Sequence, residues 1–362
     1  MARRRFGARS VACLAVVALA LLAFDAAAVG WELGRKPEVF KPDEDVVTTR
    51  VGGWLDASYE DNDLDTSTSS VNANHVNLFF DTRYRDTWQF FFEAEFEYET
   101  DLVGFEEERE YEVEQAYVRY RWTDALEARV GVFNIPFGFW TPIHWTILMD
   151  TIRPPMHESQ RLTPEQQYGF GLSGRWFPGE LLGREAELSY AAHVGYGNDS
   201  DFLKESESDG WSVGADLRLS FQEDQFLGVS YYQRQQELSR DRTERSFVLY
   251  GQATLPGNLL ARGEYVRQLR DQNARPNFSR HMNVAYAKLR WRFHPRAYLN
   301  YRFNWGDEDS AGTTLQRNVH TWTLGFKPRP WLRLKLEYAD HDFRDSGRED
   351  FRYWGVSVGS LF

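Results

Sequence analysis

The segment Trp88–Glu99, WQFFFEAEFEYE, constrains the fold more than any other stretch of the chain. Side chains alternate between the two faces of a strand. In extended conformation Trp88, Phe90, Phe92, Ala94, Phe96 and Tyr98 therefore share one face, and Gln89, Phe91, Glu93, Glu95, Glu97 and Glu99 share the other. One face must meet an apolar medium and the other water. The medium is either a protein core or lipid, and the rest of the chain decides which.

Alternating segments of this kind recur about sixteen times, from Val47–Tyr59 to Phe351–Phe362. Their connections alternate as well. Asp86-Thr87, Thr123-Asp124, Leu255–Asn258, His294–Arg296 and Lys327–Pro330 are short, whereas Glu60–Asn74, Gly197–Asp209, Gln236–Glu244, Gly306–Arg317 and Asp342–Asp350 are long and polar. Short turns on one rim and long loops on the other are the pattern of a membrane barrel, and a β-sandwich has no reason to follow it. Trp88 and Tyr98 stand on one face at a separation of roughly 23 Å along the membrane normal for a tilted strand, close to the height of a lipid-facing band. The mean hydropathy is negative, which a barrel tolerates because only alternate residues meet lipid. The expected fold is all-β, a transmembrane antiparallel β-barrel of about 16 strands with an inward-folded third extracellular loop.

Residues 1–28 read as a cleaved signal peptide: Arg3, Arg4, Arg5 and Arg9 precede the apolar run Val11–Phe24, and Ala26 and Ala28 form a small-residue cleavage site. Residues 29–46 are expected to be a periplasmic leader and 47–362 the barrel, in the bacterial outer membrane. The single cysteine, Cys13, lies in the signal segment, so disulfides and cysteine metal sites are excluded from the mature chain. The whole chain holds 42 basic and 54 acidic residues, and cleavage leaves 38 against 53. Such acidity argues against nucleic acid as a partner.

If the even positions of the third strand face lipid, Glu93, Glu95, Glu97 and Glu99 face the lumen. The same alternation turns Asp81, Arg83, Arg119, Arg121, Glu127, Arg129, Arg175 and Arg218 inward as candidate pore-lining groups, with Arg85, Asp216, Arg262, Glu264, Lys288, Arg290, Arg292, Arg302, Arg333, Lys335 and Glu337 on the same inner face. A lumen this charged requires water or cross-strand pairing. Basic residues prevail on this face while acidic excess gathers in loop segments such as Gly104–Glu114 and Glu205–Asp209. Charge close to a permeating ion counts most, so the wall leans towards anions.

The connection Asn134–Glu165 departs from the other long loops. It carries Phe137, Phe139, Trp140, Trp145, Ile147, Leu148 and Met149 and would not stay in water. It either folds inward, with Asp150, Arg153 and His157 as constriction-loop candidates, or covers a subunit interface.

The final segment YWGVSVGSLF resembles the terminal strand of bacterial outer-membrane proteins, which implies recognition by the barrel-assembly machinery. A long loop after the fifth strand resembles that of trimeric diffusion porins. RVGGWLDASYED, EQAYVRYRW followed by ARVGVFNIPFG, and RPPM before YGFGLSGRWF resemble the phosphate-selective porin O/P family, which lines its pore with arginines and a ladder of lysines. The resemblance implies a homotrimeric porin passing small hydrophilic or anionic solutes, surrounded by outer-membrane lipid and lipopolysaccharide, with no cofactor and no catalysis.

Two other readings remain open. A barrel enzyme needs a nucleophile and base near the surface, but the eight histidines are scattered and no H-E-x-x-H or G-x-S-x-G occurs. A non-conducting adhesive or structural barrel would share every feature above except the open lumen. No metal site is expected, since alternate glutamates on one strand stand ~7 Å apart, too far to share an ion without help from neighbouring strands.

Overall fold

The computed structural model describes residues 47–64, 70–85, 87–101, 107–143, 145–156, 162, 165–181, 183–196, 210–222, 224–236, 242–272, 279–310, 313–344 and 349–362. The expected signal peptide and leader and His157 lie outside the described residues, as do the side chains of Tyr98 and Glu99.

Alternation becomes strand throughout. The strands are β1 (Val47–Asn62), β2 (Ser70–Tyr84), β3 (Trp88–Asp101), β4 (Glu107–Thr123), β5 (Leu126–Asn134), β6 (Gln166–Leu181), β7 (Arg184–Tyr196) and β8 (Gly210–Gln222). They continue as β9 (Gln225–Gln236), β10 (Arg242–Leu255), β11 (Leu259–Gln272), β12 (Ser279–His294), β13 (Ala297–Ser310), β14 (Thr313–Arg329), β15 (Leu332–Arg344) and β16 (Phe351–Leu361). Each pairs antiparallel with its sequence neighbours, and β1 pairs with β16 to close the barrel. Closure leaves no sheet edge with unpaired backbone groups, which a hydrocarbon environment would not tolerate.

The seam is made by the chain end. Gly53 and Phe362 exchange two backbone hydrogen bonds of 3.0 Å. A Cβ on residue 53 would collide with the Phe362 ring and with the Asn77 carbonyl, so glycine is what lets the terminal residue approach.

The two faces of β3 segregate as the alternation requires. Trp88, Phe90, Phe92 and Phe96 are exposed on the outer surface, while Gln89, Glu93 and Glu95 are buried inside. Exposed Leu217, Leu227, Val229, Leu249, Leu289, Leu324 and Leu336 continue the apolar exterior around the barrel. Aromatic contacts border it at both ends: Trp88–Tyr120 (4.6 Å), Tyr120–Trp122 (4.7 Å) and Trp291–Phe293 (5.5 Å) by the short turns, and Phe96–Tyr111 (5.6 Å) and Tyr196–Trp211 (5.7 Å) towards the long loops. An exterior this apolar, bounded by aromatic rings, belongs in lipid.

Several strands outrun their expected limits. β14 begins at Thr313, where alternation is visible only from His320, and β2 begins at Ser70 rather than His75. Strands of up to 17 residues exceed the ~9–11 that a bilayer needs. Beyond the lipid both faces meet water, so hydrogen-bonded ladder continues where the hydrophobic pattern has ended.

Candidate functional site

The connection between β5 and β6 enters the barrel. Ile135, Phe137, Trp140, Ile147 and Met149 are buried there, and two short 3-10 turns, Thr141–Ile143 and Thr146–Leu148, bend the chain across the lumen. Phe137 and Ile135 pack on inward-facing Tyr232, Val248, Tyr250 and Val266 of β9–β11. Trp140 and Met149 pack on Tyr286 of β12, and Met156 and Leu162 on Met282, Val284, Val319, Ala339 and Tyr353. The loop thus carries half of an apolar core into the barrel, and β9–β16 supply the other half. A reading of inward-facing charges alone does not find that half. Its signal in sequence is the interruption of polar inner positions by Val248, Val266, Met282 and Val284.

Polar anchors complete the seat. Phe139 N donates to Glu264 (2.5 Å), Trp140 Nε1 to the Tyr286 hydroxyl (2.8 Å), and the Ile152 and Arg153 amides to Glu337 (2.8 and 3.2 Å). Lys335 Nζ donates to the carbonyls of Thr146 and Thr151 (2.8 and 2.9 Å), and Arg302 to those of Arg153 and Pro154 (3.1 Å each). Trp145 Nε1 donates to Glu93 of β3 (2.6 Å) and Thr146 Oγ1 to Asp56 of β1 (3.0 Å). The loop's contacts therefore run around the wall from β9 through β16 to β1 and on to β3.

The constriction-loop candidates fall within this seat. Asp150 accepts from Lys288 Nζ and Arg290 Nη1, both at 2.8 Å, and the Tyr298 hydroxyl donates to its carbonyl. Burial alone would push its carboxyl up, but Lys288 and Arg290 outweigh that and hold it well below the ordinary carboxylate range. The Arg153 guanidinium donates to Glu60 (2.6 and 2.9 Å) and lies 4.0 Å from the Tyr353 ring centre. Asp150 is thus packed against the wall beneath the loop, and Lys288, Arg302, Lys335 and Glu337 serve as loop anchors.

The remaining candidates divide by strand. On β2–β3, Asp81 accepts from Gln89 (2.7 Å) and pairs with Arg83 (3.0 Å), Glu93 is fully covered by Trp145 and Gln115, and Glu95 and Glu97 both contact His75. On β4–β5, Arg119 and Arg121 share Glu127 at 3.2 and 3.4 Å, and Ser173 donates to its other oxygen. Arg129 stacks 4.3 Å over the Phe133 ring, and its Nε has no hydrogen-bond partner. On β6–β8, Arg175 stands 4.0 Å from Glu187, and Arg218 lies over Phe226 at 5.5 Å with its Nε also unpartnered. The contrast in access is large. The Lys288 side chain is 0% exposed under the loop, whereas those of Arg119 and Arg121 are 21% and 32% exposed on the opposite wall. The loop covers Lys288, Arg302, Lys335 and Glu337, whereas Arg290 keeps 29% of its side chain exposed and water also reaches Arg119 and Arg121 on the opposite wall.

No family model and no curated protein sequence matches the chain. Solved structures match it in fold. The trimer form of the outer-membrane protein OmpT of Vibrio cholerae aligns with a TM-score of 0.61 at 12% identity, over 88% of this chain and 100% of that one. The anion-selective porin of Comamonas acidovorans aligns with a TM-score of 0.60 at 9% identity, covering 87% and 100%. The outer-membrane channel DcaP of Acinetobacter baumannii aligns with a TM-score of 0.55 at 11% identity, covering 89% and 99%. The chain has the fold of a bacterial outer-membrane barrel.

Proposed function

We infer that the protein is an outer-membrane porin, a water-filled channel for passive diffusion of small hydrophilic solutes, leaning towards anions. The observation that carries this reading is the uneven seat of the inward loop. It buries Lys288, Arg302, Lys335 and Glu337 on β12–β15 and leaves Arg119 and Arg121, 21% and 32% exposed, beside Glu127 on the opposite wall. The anion-selective porin and the channel among the structural neighbours support the same class, and the neighbouring trimer form supports assembly as a homotrimer.

Single-channel recording in planar bilayers tests the reading. The expected result is stepwise conductance with a reversal potential in a potassium chloride gradient that favours chloride. A folded, inserted barrel without conductance steps would overturn it.

A further inference from the structure

His75, Glu95 and Glu97 bring one ligand atom each to within 4.8 Å of one another on the lumen face of β2 and β3. The strand register explains the meeting. Asp56 of β1 stands opposite His75 of β2, and His75 stands opposite Glu97 of β3, so three neighbouring strands place a carboxylate, an imidazole and a carboxylate in one row. Both ladders shift register beside that row, between Asp56 and Ser58 and between Ala73 and His75. Irregularities of this kind re-aim side chains, and here they supply the cross-strand neighbour that a glutamate ladder lacks.

Hydrogen bonding alone leaves the cluster incompletely satisfied. A single ring nitrogen, His75 Nδ1, faces both Glu95 Oε1 and Glu97 Oε1, the latter at 2.9 Å, and one N–H cannot serve two carboxylates well. Asp56, nine-tenths buried beside His75, has an Oδ1 without a hydrogen-bond partner. Asn77 is fully buried; its amide nitrogen lies 3.4 Å from Glu95 Oε2, and its Oδ1 is likewise unpartnered. Glu95 also stands directly opposite Glu112 in the β3–β4 ladder.

We propose that His75, Glu95 and Glu97 form a binding site for a divalent transition-metal cation, best suited to Zn2+, in the lumen wall. An imidazole nitrogen with two carboxylates is a borderline donor set that favours zinc over the oxygen-seeking calcium and magnesium ions. Glu97 is 44% exposed at its side chain, so the site opens to the lumen and a metal ion can enter from water. Three protein ligands leave a position for water or solute. The Asp56 carboxylate, tied through Thr146 to the inward loop, links this site to the loop's seat.

The test is titration calorimetry of the chelator-treated, folded barrel in detergent with zinc chloride and, separately, calcium chloride. The comparison set is the wild type, His75→Gln, Glu97→Gln and the control His294→Gln, at the exposed turn between β12 and β13. The expected result is one zinc ion per chain, affinity reduced at least about tenfold in His75→Gln and Glu97→Gln, unchanged affinity in His294→Gln, and no displacement by equimolar calcium. Absence of zinc binding, retention of full affinity in His75→Gln, or displacement by equimolar calcium would each overturn the proposal. If His75→Gln loses the heat-modifiable migration of a folded barrel, Glu97→Gln decides alone. The measurement does not depend on conductance.

Discussion

Lys288 Nζ of β12 lies 2.8 Å from Asp150 Oδ2 of the inward loop, with the lysine side chain wholly inaccessible to water. Arg290 holds the other oxygen at the same distance. Lys288 and Asp150 are buried together, with Arg290 29% exposed at their edge, so removing the anion strands the buried lysine's charge. Asp150→Asn is expected to destabilise the folded barrel by about 3–5 kcal/mol. Adding Lys288→Met should restore part of that loss, because the stranded charge goes with it. Urea unfolding of the single and double variants, followed by tryptophan fluorescence, measures both effects. Equal stability of Asp150→Asn and wild type would contradict the pairing.

The same pair sets an acid limit. The folded-state value of Asp150 is depressed, so its stabilising contribution is complete above the unfolded carboxyl value of ~3.9 and declines as pH falls below it. Channel noise from loop motion should therefore be constant between about pH 7 and 5 and increase below about pH 4. In Asp150→Asn the noise should be high throughout and lack this acid step. A rise in wild-type noise already at pH 6, absent from Asp150→Asn, would mean that Lys288 and Arg290 do not hold the carboxylate.

Selectivity is expected to reside on the wall opposite the loop. Arg129→Glu replaces a cation whose Nε has no hydrogen-bond partner, and Arg119→Glu sets a carboxylate beside Glu127. Either change should lower the chloride-to-potassium permeability ratio severalfold at 0.1 M salt, where screening extends over about 10 Å. Lys335→Met, under the loop, should leave the ratio near the wild-type value. An unaltered ratio in both arginine variants would assign these residues to wall cohesion alone.

How much of this was legible in sequence follows from the physical range of each interaction. Alternation is local, so the inward direction of Glu93, Arg119 and Lys288 could be read from their own strands. The apolar content of Asn134–Glu165 likewise required a covered position. What covers it is a matter of tertiary contact: Glu93 meets Trp145 and Lys288 meets Asp150 across 52 and 138 residues of chain. No periodicity encodes such pairings. Nor does strand periodicity report the register that sets His75 between Asp56 and Glu97, because that register follows from irregularities in two ladders.

Trp145 provides a mechanical test of the loop's far anchor. Its indole donates to Glu93 and stacks on Phe79 at 5.6 Å, holding the loop to the β2–β3 wall. Trp145→Ala should free that crossing and leave the packing of Phe137 and Trp140 on β9–β12 in place. Larger and noisier single-channel steps are expected, with little change in the unfolding midpoint. A closed or unchanged channel would show that the crossing does not limit the passage.

Gly325 governs the loop from outside it. It stands opposite Tyr298 in the β13–β14 ladder, and a Cβ on residue 325 would enter the space of the tyrosine ring. That ring lies flat enough on the glycine for its hydroxyl to reach the Asp150 carbonyl at 3.1 Å. Gly325→Ala must lift the ring, at a cost of about 1–3 kcal/mol for overpacking, and break the contact. Pairing Gly325→Ala with Tyr298→Leu should recover most of the stability, since the smaller side chain clears the new methyl group, yet the loop remains without the hydroxyl. Unfolding midpoints should therefore return towards wild type in the double variant, whereas channel noise stays raised. Recovery of both together would mean that Tyr298 supports the wall and contributes nothing to holding Asp150.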